Sequence, residues 1–94
     1  MFGRLKITVE ETPNPNARKF NLNCAVTNGE RRSYTHVDQA AGDELALQLF
    51  AIEHVVGVML LGDFCTVNKS DAGRWTTLSP KVRRVLKAAM KQKV

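Results

Sequence analysis

No stretch constrains this chain more than Thr12-Pro13-Asn14-Pro15-Asn16. Each proline locks its own φ and removes a backbone donor, and each drives the residue before it, Thr12 or Asn14, toward extended geometry. Neither a helix nor a strand ladder continues through such a run. The asparagines can close turns on their own backbone and tolerate left-handed conformations. The segment therefore predicts a stiff, polar, exposed loop that ends one element and starts another. Before it, Leu5, Ile7 and Val9 alternate with Arg4, Lys6, Thr8 and Glu10, the pattern of a half-buried strand. After it, Phe20 and Leu22 share one face of a second strand over residues 17–22, which pairs back on the first.

Further along, Thr27-Asn28-Gly29-Glu30 reads as a turn, and residues 31–37 as a short polar strand in which Tyr34 and His36 oppose Ser33 and Thr35. Asp43 is placed to cap a helix over residues 44–53, with Leu45, Ala46, Leu49, Phe50 and Ile52 on its buried stripe. Residues 55–61 are an apolar, β-branched run of strand length; Gly62-Asp63 turns the chain, and residues 64–69 form a further strand. Ser79 as N-cap and Pro80 as first helical residue predict a last helix, whose stripe is Val82, Val85, Leu86, Ala89 and Met90. The fold class that follows is α+β: a small, mainly antiparallel sheet with two helices on one face, in the order β-β-(β)-α-β-β-α. With 94 residues and no internal linker, residues 1–94 read as a single domain.

Charge is unevenly spread behind the net +5: residues 1–36 carry net +3, residues 37–71 net −5, and residues 72–94 net +7 with no acidic side chain. Lys81, Arg84, Lys87 and Lys91 fall off the apolar stripe of the last helix, with Arg83 beside them. Two readings stay open for this face. It is the solvated flank of an amphipathic helix, or it is a surface for nucleic acid in a small basic protein. The aromatic side chains that interleave with cations in single-strand binders are missing from it.

Sites of catalysis or metal binding do not emerge. Gly57 and Gly62 form no phosphate-cradling loop, and no His-x-x-x-His, Cys-x-x-Cys or paired-carboxylate spacing occurs. Cys65 reads as a small buried hydrophobe, and Cys24 as a strand-end residue open to solvent. Cys24, Cys65, His36 and His54 match a zinc inventory but lie too far apart in sequence to be assigned as ligands, so no metal site is expected. A chain without a nucleophile or an acid–base pair in mutual reach is not expected to be an enzyme. The absence of an apolar leader or a long apolar span, with only two cysteines, points to a cytoplasmic protein with reduced thiols.

Three segments together resemble one family. Thr12-Pro13-Asn14-Pro15-Asn16-Ala17-Arg18-Lys19-Phe20 is similar to the T-P-N-P-N-x-x-K-F signature of the Nfu/NifU N-terminal domain. Leu45, Ala46, Leu49, Phe50, Ile52, Glu53, Val55 and Val58, followed by Asp63, Phe64, Thr66, Val67 and Lys69, resemble its middle. Trp75, Leu78, Pro80 and Val82 resemble its close, so the likeness covers residues 7–86. It implies a place among iron–sulfur cluster assembly factors. In longer members this domain precedes a module whose Cys-x-x-Cys binds the cluster and passes it to client apoproteins, and this sequence lacks that motif. What carries over is an accessory or interaction role, with the cluster met only through a partner: a protein of cluster assembly or a client apoprotein. Pro13, Asn14, Pro15 and Asn16 are the candidate binding residues, with Arg18 and Lys19 adding electrostatic steering.

Overall fold

Residues 4–91 are described by a computed structural model; residues 1–3 and 92–94, with Lys93 of the basic end, lie outside the described residues. The strands are β1 (Ile7–Glu11), β2 (Ala17–Leu22), β3 (Arg31–Tyr34), β4 (Val55–Leu61) and β5 (Phe64–Lys69). The helices are α1 (Glu44–Phe50) and α2 (Trp75–Met90), and a single 3-10 turn spans Val37–Ala40. One sheet holds all five strands in the order β1-β2-β5-β4-β3, and every neighbouring pair is antiparallel. The expected α+β architecture is the observed one.

The register divides the side chains between two faces. Val9, Phe20, Cys65, Leu60 and Arg32 form one cross-strand row, and Arg18, Val67, Val58 and Tyr34 the next. On these rows Phe20, Leu60, Cys65 and Val67 are fully buried, together with Leu49 of α1 and Val82 and Leu86 of α2. Each such side chain contributes about 1.5–3 kcal/mol of burial. Both helices therefore cover this face.

The start of α2 corrects the sequence reading. The helix begins at Trp75, with Arg74 at its N-cap and no side-chain cap, and Pro80 lies inside it. The reason is burial: Trp75 and Leu78 extend the stripe Val82, Leu86, Met90 by one more turn into the core. That gain outweighs the cap that Ser79 offered. Pro80 is exposed, and the Thr76 carbonyl that it leaves without an N–H belongs to another exposed residue. Ser79 Oγ, with no helix end to cap, is buried without a partner.

Helix α1 starts as expected, Asp43 Oδ1 accepting from the Ala46 N–H at 3.2 Å, but stops at Phe50 rather than at residue 53. A tighter bond from the Ile52 N–H to the Leu49 carbonyl (3.1 Å) closes it, and His54 at φ +76° swings the chain into β4. The His54 Nδ1 lies 3.1 Å from Ser70 Oγ. β3 also ends early, at Tyr34. Gln39 Oε1 accepts from the Thr35 N–H (2.7 Å) and His36 Nδ1 from the Asp38 N–H (3.1 Å), drawing the chain into the 3-10 turn.

Candidate functional site

The proline-asparagine run joins β1 to β2 and is held by its own polar groups. Asn14 Oδ1 accepts from the Asn16 N–H (2.9 Å), and the Ala17 N–H donates to the Asn14 carbonyl (3.0 Å), closing a turn with Pro15 at its second position. The Thr12 hydroxyl lies 2.8 Å from the Asn14 carbonyl oxygen and 2.9 Å from that of Ala17, and accepts from the Asn14 N–H.

A second layer of contacts ties this loop to the connection between β5 and α2. Asn16 Nδ2 donates to Asp71 Oδ1 (2.6 Å) while its Oδ1 accepts from Lys69 Nζ (2.9 Å), and its backbone carbonyl accepts from the Lys69 N–H (2.8 Å). Trp75 Nε1–H donates to the Pro15 carbonyl at 3.0 Å. The Trp75 ring also meets Phe20 at a centroid distance of 6.4 Å and carries the Arg18 guanidinium 5.4 Å from its centroid. Asn16 is thus committed to the fold, whereas Pro13, Asn14 and Pro15 stay exposed at one end of the sheet.

The remaining candidates do not converge on one place. Arg18 and Lys19 are neighbours in a strand and so point to opposite faces. Arg18 lies over Trp75 on the helix side; Lys19 lies on the uncovered side, its Nζ 4.3 Å from the Phe64 ring centroid. On α2, Lys81, Arg84 and Lys87 are exposed, as is Lys91 at its C-cap, and none makes an ion pair among the described residues. Arg84 and Lys87 flank a shallow hollow of about 440 Å³ with Arg83 and Pro80. Lys81 faces a different one, of about 230 Å³, shared with His54, Arg74 and Thr77.

Cys65 is 0% exposed, and burial pushes its thiol up to about 12. Cys24 is half-buried in the loop after β2. Cluster iron takes several accessible thiolates at one place. One neutral, enclosed thiol and one partly covered thiol do not fit that role. Among the described residues no three His, Cys, Asp or Glu side chains gather as metal ligands.

Sequence reasoning missed two features. Asp43, buried, caps α1 with one oxygen while the other accepts from Tyr34 Oη (2.7 Å) and stands 3.3 Å from Arg32 Nη1. The hydrogen bond to this carboxylate, with burial and the carboxylate's own charge, raises the Tyr34 pKa above its ordinary value. The second feature is the sheet face that neither helix covers, uncovered among the described residues. It was announced by the residues of β4, which are apolar on both sides of the strand.

Comparison with known proteins agrees with this architecture. The sequence pattern described as "Scaffold protein Nfu/NifU N terminal" matches residues 7–93. The mitochondrial "NFU1 iron-sulfur cluster scaffold homolog" of Drosophila simulans is 33% identical over 81 residues, covering 85% of this chain and 29% of that protein. "NifU-like protein 4, mitochondrial" of Arabidopsis thaliana is 34% identical over 76 residues, covering 81% and 27%. The chain thus spans under a third of the length of these relatives. The crystal structure of Staphylococcus aureus protein SAV1430 matches with a TM-score of 0.73 at 30% identity, over 86% of this chain and 98% of that one. A NifU-like protein from Saccharomyces cerevisiae shares the fold, with a TM-score of 0.82 at 24% identity over 98% of this chain and 85% of that one. A pattern match over nearly the whole chain, on a sheet and helices of the same arrangement, shows that this protein belongs to the Nfu/NifU N-terminal scaffold family.

Proposed function

We propose that this chain is a non-catalytic interaction domain serving iron–sulfur cluster assembly through protein contacts. The cluster is held by a partner, either another assembly protein or a client apoprotein, and not by residues of this chain. Family membership supports the setting. The observation that carries the reading is the loop at residues 12–17. Its polar groups are spent on holding its own shape, leaving Pro13, Asn14 and Pro15 preorganised and exposed. A loop that is already ordered loses little entropy when a partner covers it. Lys19 stands two residues past the end of that loop, on the opposite face of the sheet from Arg18.

Capture from native lysate with the full chain as bait, after nuclease treatment, tests this. Iron–sulfur proteins or cluster-assembly proteins are the expected catch, reduced in an Asn14→Ala, Lys19→Ala variant. Retention of nothing but proteins unrelated to iron–sulfur chemistry would contradict it. Retention that occurs only in a parallel capture without nuclease would instead favour the basic face of α2.

A further inference from the structure

We propose that the uncovered face of the sheet docks a protein segment in which carboxylates flank an apolar anchor. This rests on the reading that the domain acts through protein contacts, and it names the surface and the chemistry of the contact. An antiparallel sheet wet on one side alternates apolar and polar residues along each strand. β4 does not: Val55, Val56, Gly57, Val58, Met59, Leu60 and Leu61 contain no polar side chain. Such a strand belongs in a sheet covered on both faces, and α1 and α2 cover only one.

The surplus apolar side chains are contiguous. Leu61 stands opposite Phe64, and Met59 opposite Thr66, on the face turned from the helices. Val58, Leu60, Cys65 and Val67 belong to the core beneath, whereas Met59, Leu61 and Phe64 do not pack against it. Val56 is 48% exposed. Beside them lies a hollow of about 350 Å³, lined by Val56, Met59, Ser33, Thr35, Thr66 and Asn68 around Gly57. A Cβ on Gly57 would come within 3.2 Å of Asn68 Cβ and narrow that hollow.

Charge selects the occupant. Lys19 Nζ lies 4.3 Å from the Phe64 ring centroid, and Arg31, exposed, stands opposite Leu61 at the other edge of the apolar group. Neither makes an ion pair among the described residues. Glu10 stands directly opposite Lys19 on the edge strand β1, on the side of Lys19 away from Phe64, and makes no ion pair with it among the described residues. A carboxylate-flanked anchor meets two cations and an apolar floor. A second copy of the chain, related by a two-fold axis, would set this cation-bracketed patch against itself. Single-stranded nucleic acid gains affinity by stacking bases on aromatic faces, and the Phe64 ring already carries Lys19.

Amide shift mapping of the full chain with two blocked synthetic peptides tests the proposal: Glu-Glu-Leu-Phe-Glu-Glu and Lys-Lys-Leu-Phe-Lys-Lys. The acidic peptide is expected to shift the amides of Arg31, Ser33, Met59, Leu61, Phe64 and Thr66, and to bind at least about tenfold tighter than the basic one. Phe64→Thr is expected to abolish the shifts while leaving the amides of the covered face in place. The double variant Lys19→Glu, Arg31→Glu is expected to reverse the preference. Equal response to both peptides, no response to either, or self-association that Phe64→Thr removes would overturn the proposal. So would a single-stranded oligonucleotide that shifts the same amides more strongly. Shifts confined to residues 12–19 would overturn it while leaving the proposed function standing.

Discussion

The two faces of the sheet have opposite fates although β4 supplies apolar side chains to both. Toward the helices, Val58 and Leu60 meet Val67 and Cys65 across the ladder and vanish beneath α1 and α2. Toward solvent, Met59 and Leu61 meet Thr66 and Phe64 and stay partly open, with Lys19 and Arg31 beside them. The first face holds the domain together; the second has contact area to spare. Apolar character in a strand therefore states that a face wants cover, and topology decides whether the chain itself provides it.

Substitutions on the two faces are expected to differ most in their cost. Phe20→Ala, on the covered face, is expected to lose about 3–5 kcal/mol and Leu60→Ala about 2–5, read by urea unfolding. Met59→Thr and Leu61→Thr are expected to stay near ±0.5 kcal/mol, as ordinary surface changes do. Equal costs on both faces would mean that the open face is structural. Next in size is Asp43→Ala, which removes the α1 cap and the acceptor for Tyr34 and leaves Arg32 without its buried partner. A loss of about 3 kcal/mol is expected, against about 1 for the cap alone. Trp75→Phe keeps most of the packing but deletes the donor to the Pro15 carbonyl. About 1 kcal/mol is expected, with exchange of the loop amides rising more than that of the sheet amides.

The smallest effect is chemical. Cys65, held at about 12 by burial, is expected to resist thiol reagents at neutral pH until the protein unfolds, while Cys24 reacts first. The same shift has a sign in stability. Folded Cys65 and Tyr34 hold their protons more tightly than the unfolded chain does. Their contribution is thus complete below the unfolded values, about 8.5 for Cys and about 10 for Tyr, and is lost as pH rises through the folded ones. Stability is expected to fall above about pH 9 in wild type, and less steeply in Tyr34→Phe or Cys65→Ala measured against their own neutral-pH values.

Much of this was legible in the sequence because the signals were local. Pro13 and Pro15 ended β1, Asp43 capped α1, and the order of elements emerged with the short β3 in place. What failed was local evidence set against distant burial. Ser79-Pro80 is a sound helix start, but Trp75 packs on Phe20 and Leu78 is buried with it, so α2 began five residues sooner. Arg18 and Lys19 looked like one basic pair, and strand alternation parted them. The bonds of Asn16 to Lys69 and Asp71 span more than fifty residues, beyond any motif. The apolar run of β4 was visible from the start, but its exposed half emerged only once both helices were seen on one face.

The most direct measurement is amide mapping of the full chain against a purified, cluster-loaded Nfu-type scaffold protein. The account expects perturbation at Asn14, Lys19, Met59, Leu61 and Phe64, with Arg83 and Arg84 on the outer flank of α2 unaffected. A spectrum unchanged by the scaffold protein, or changed along α2 alone, would contradict it.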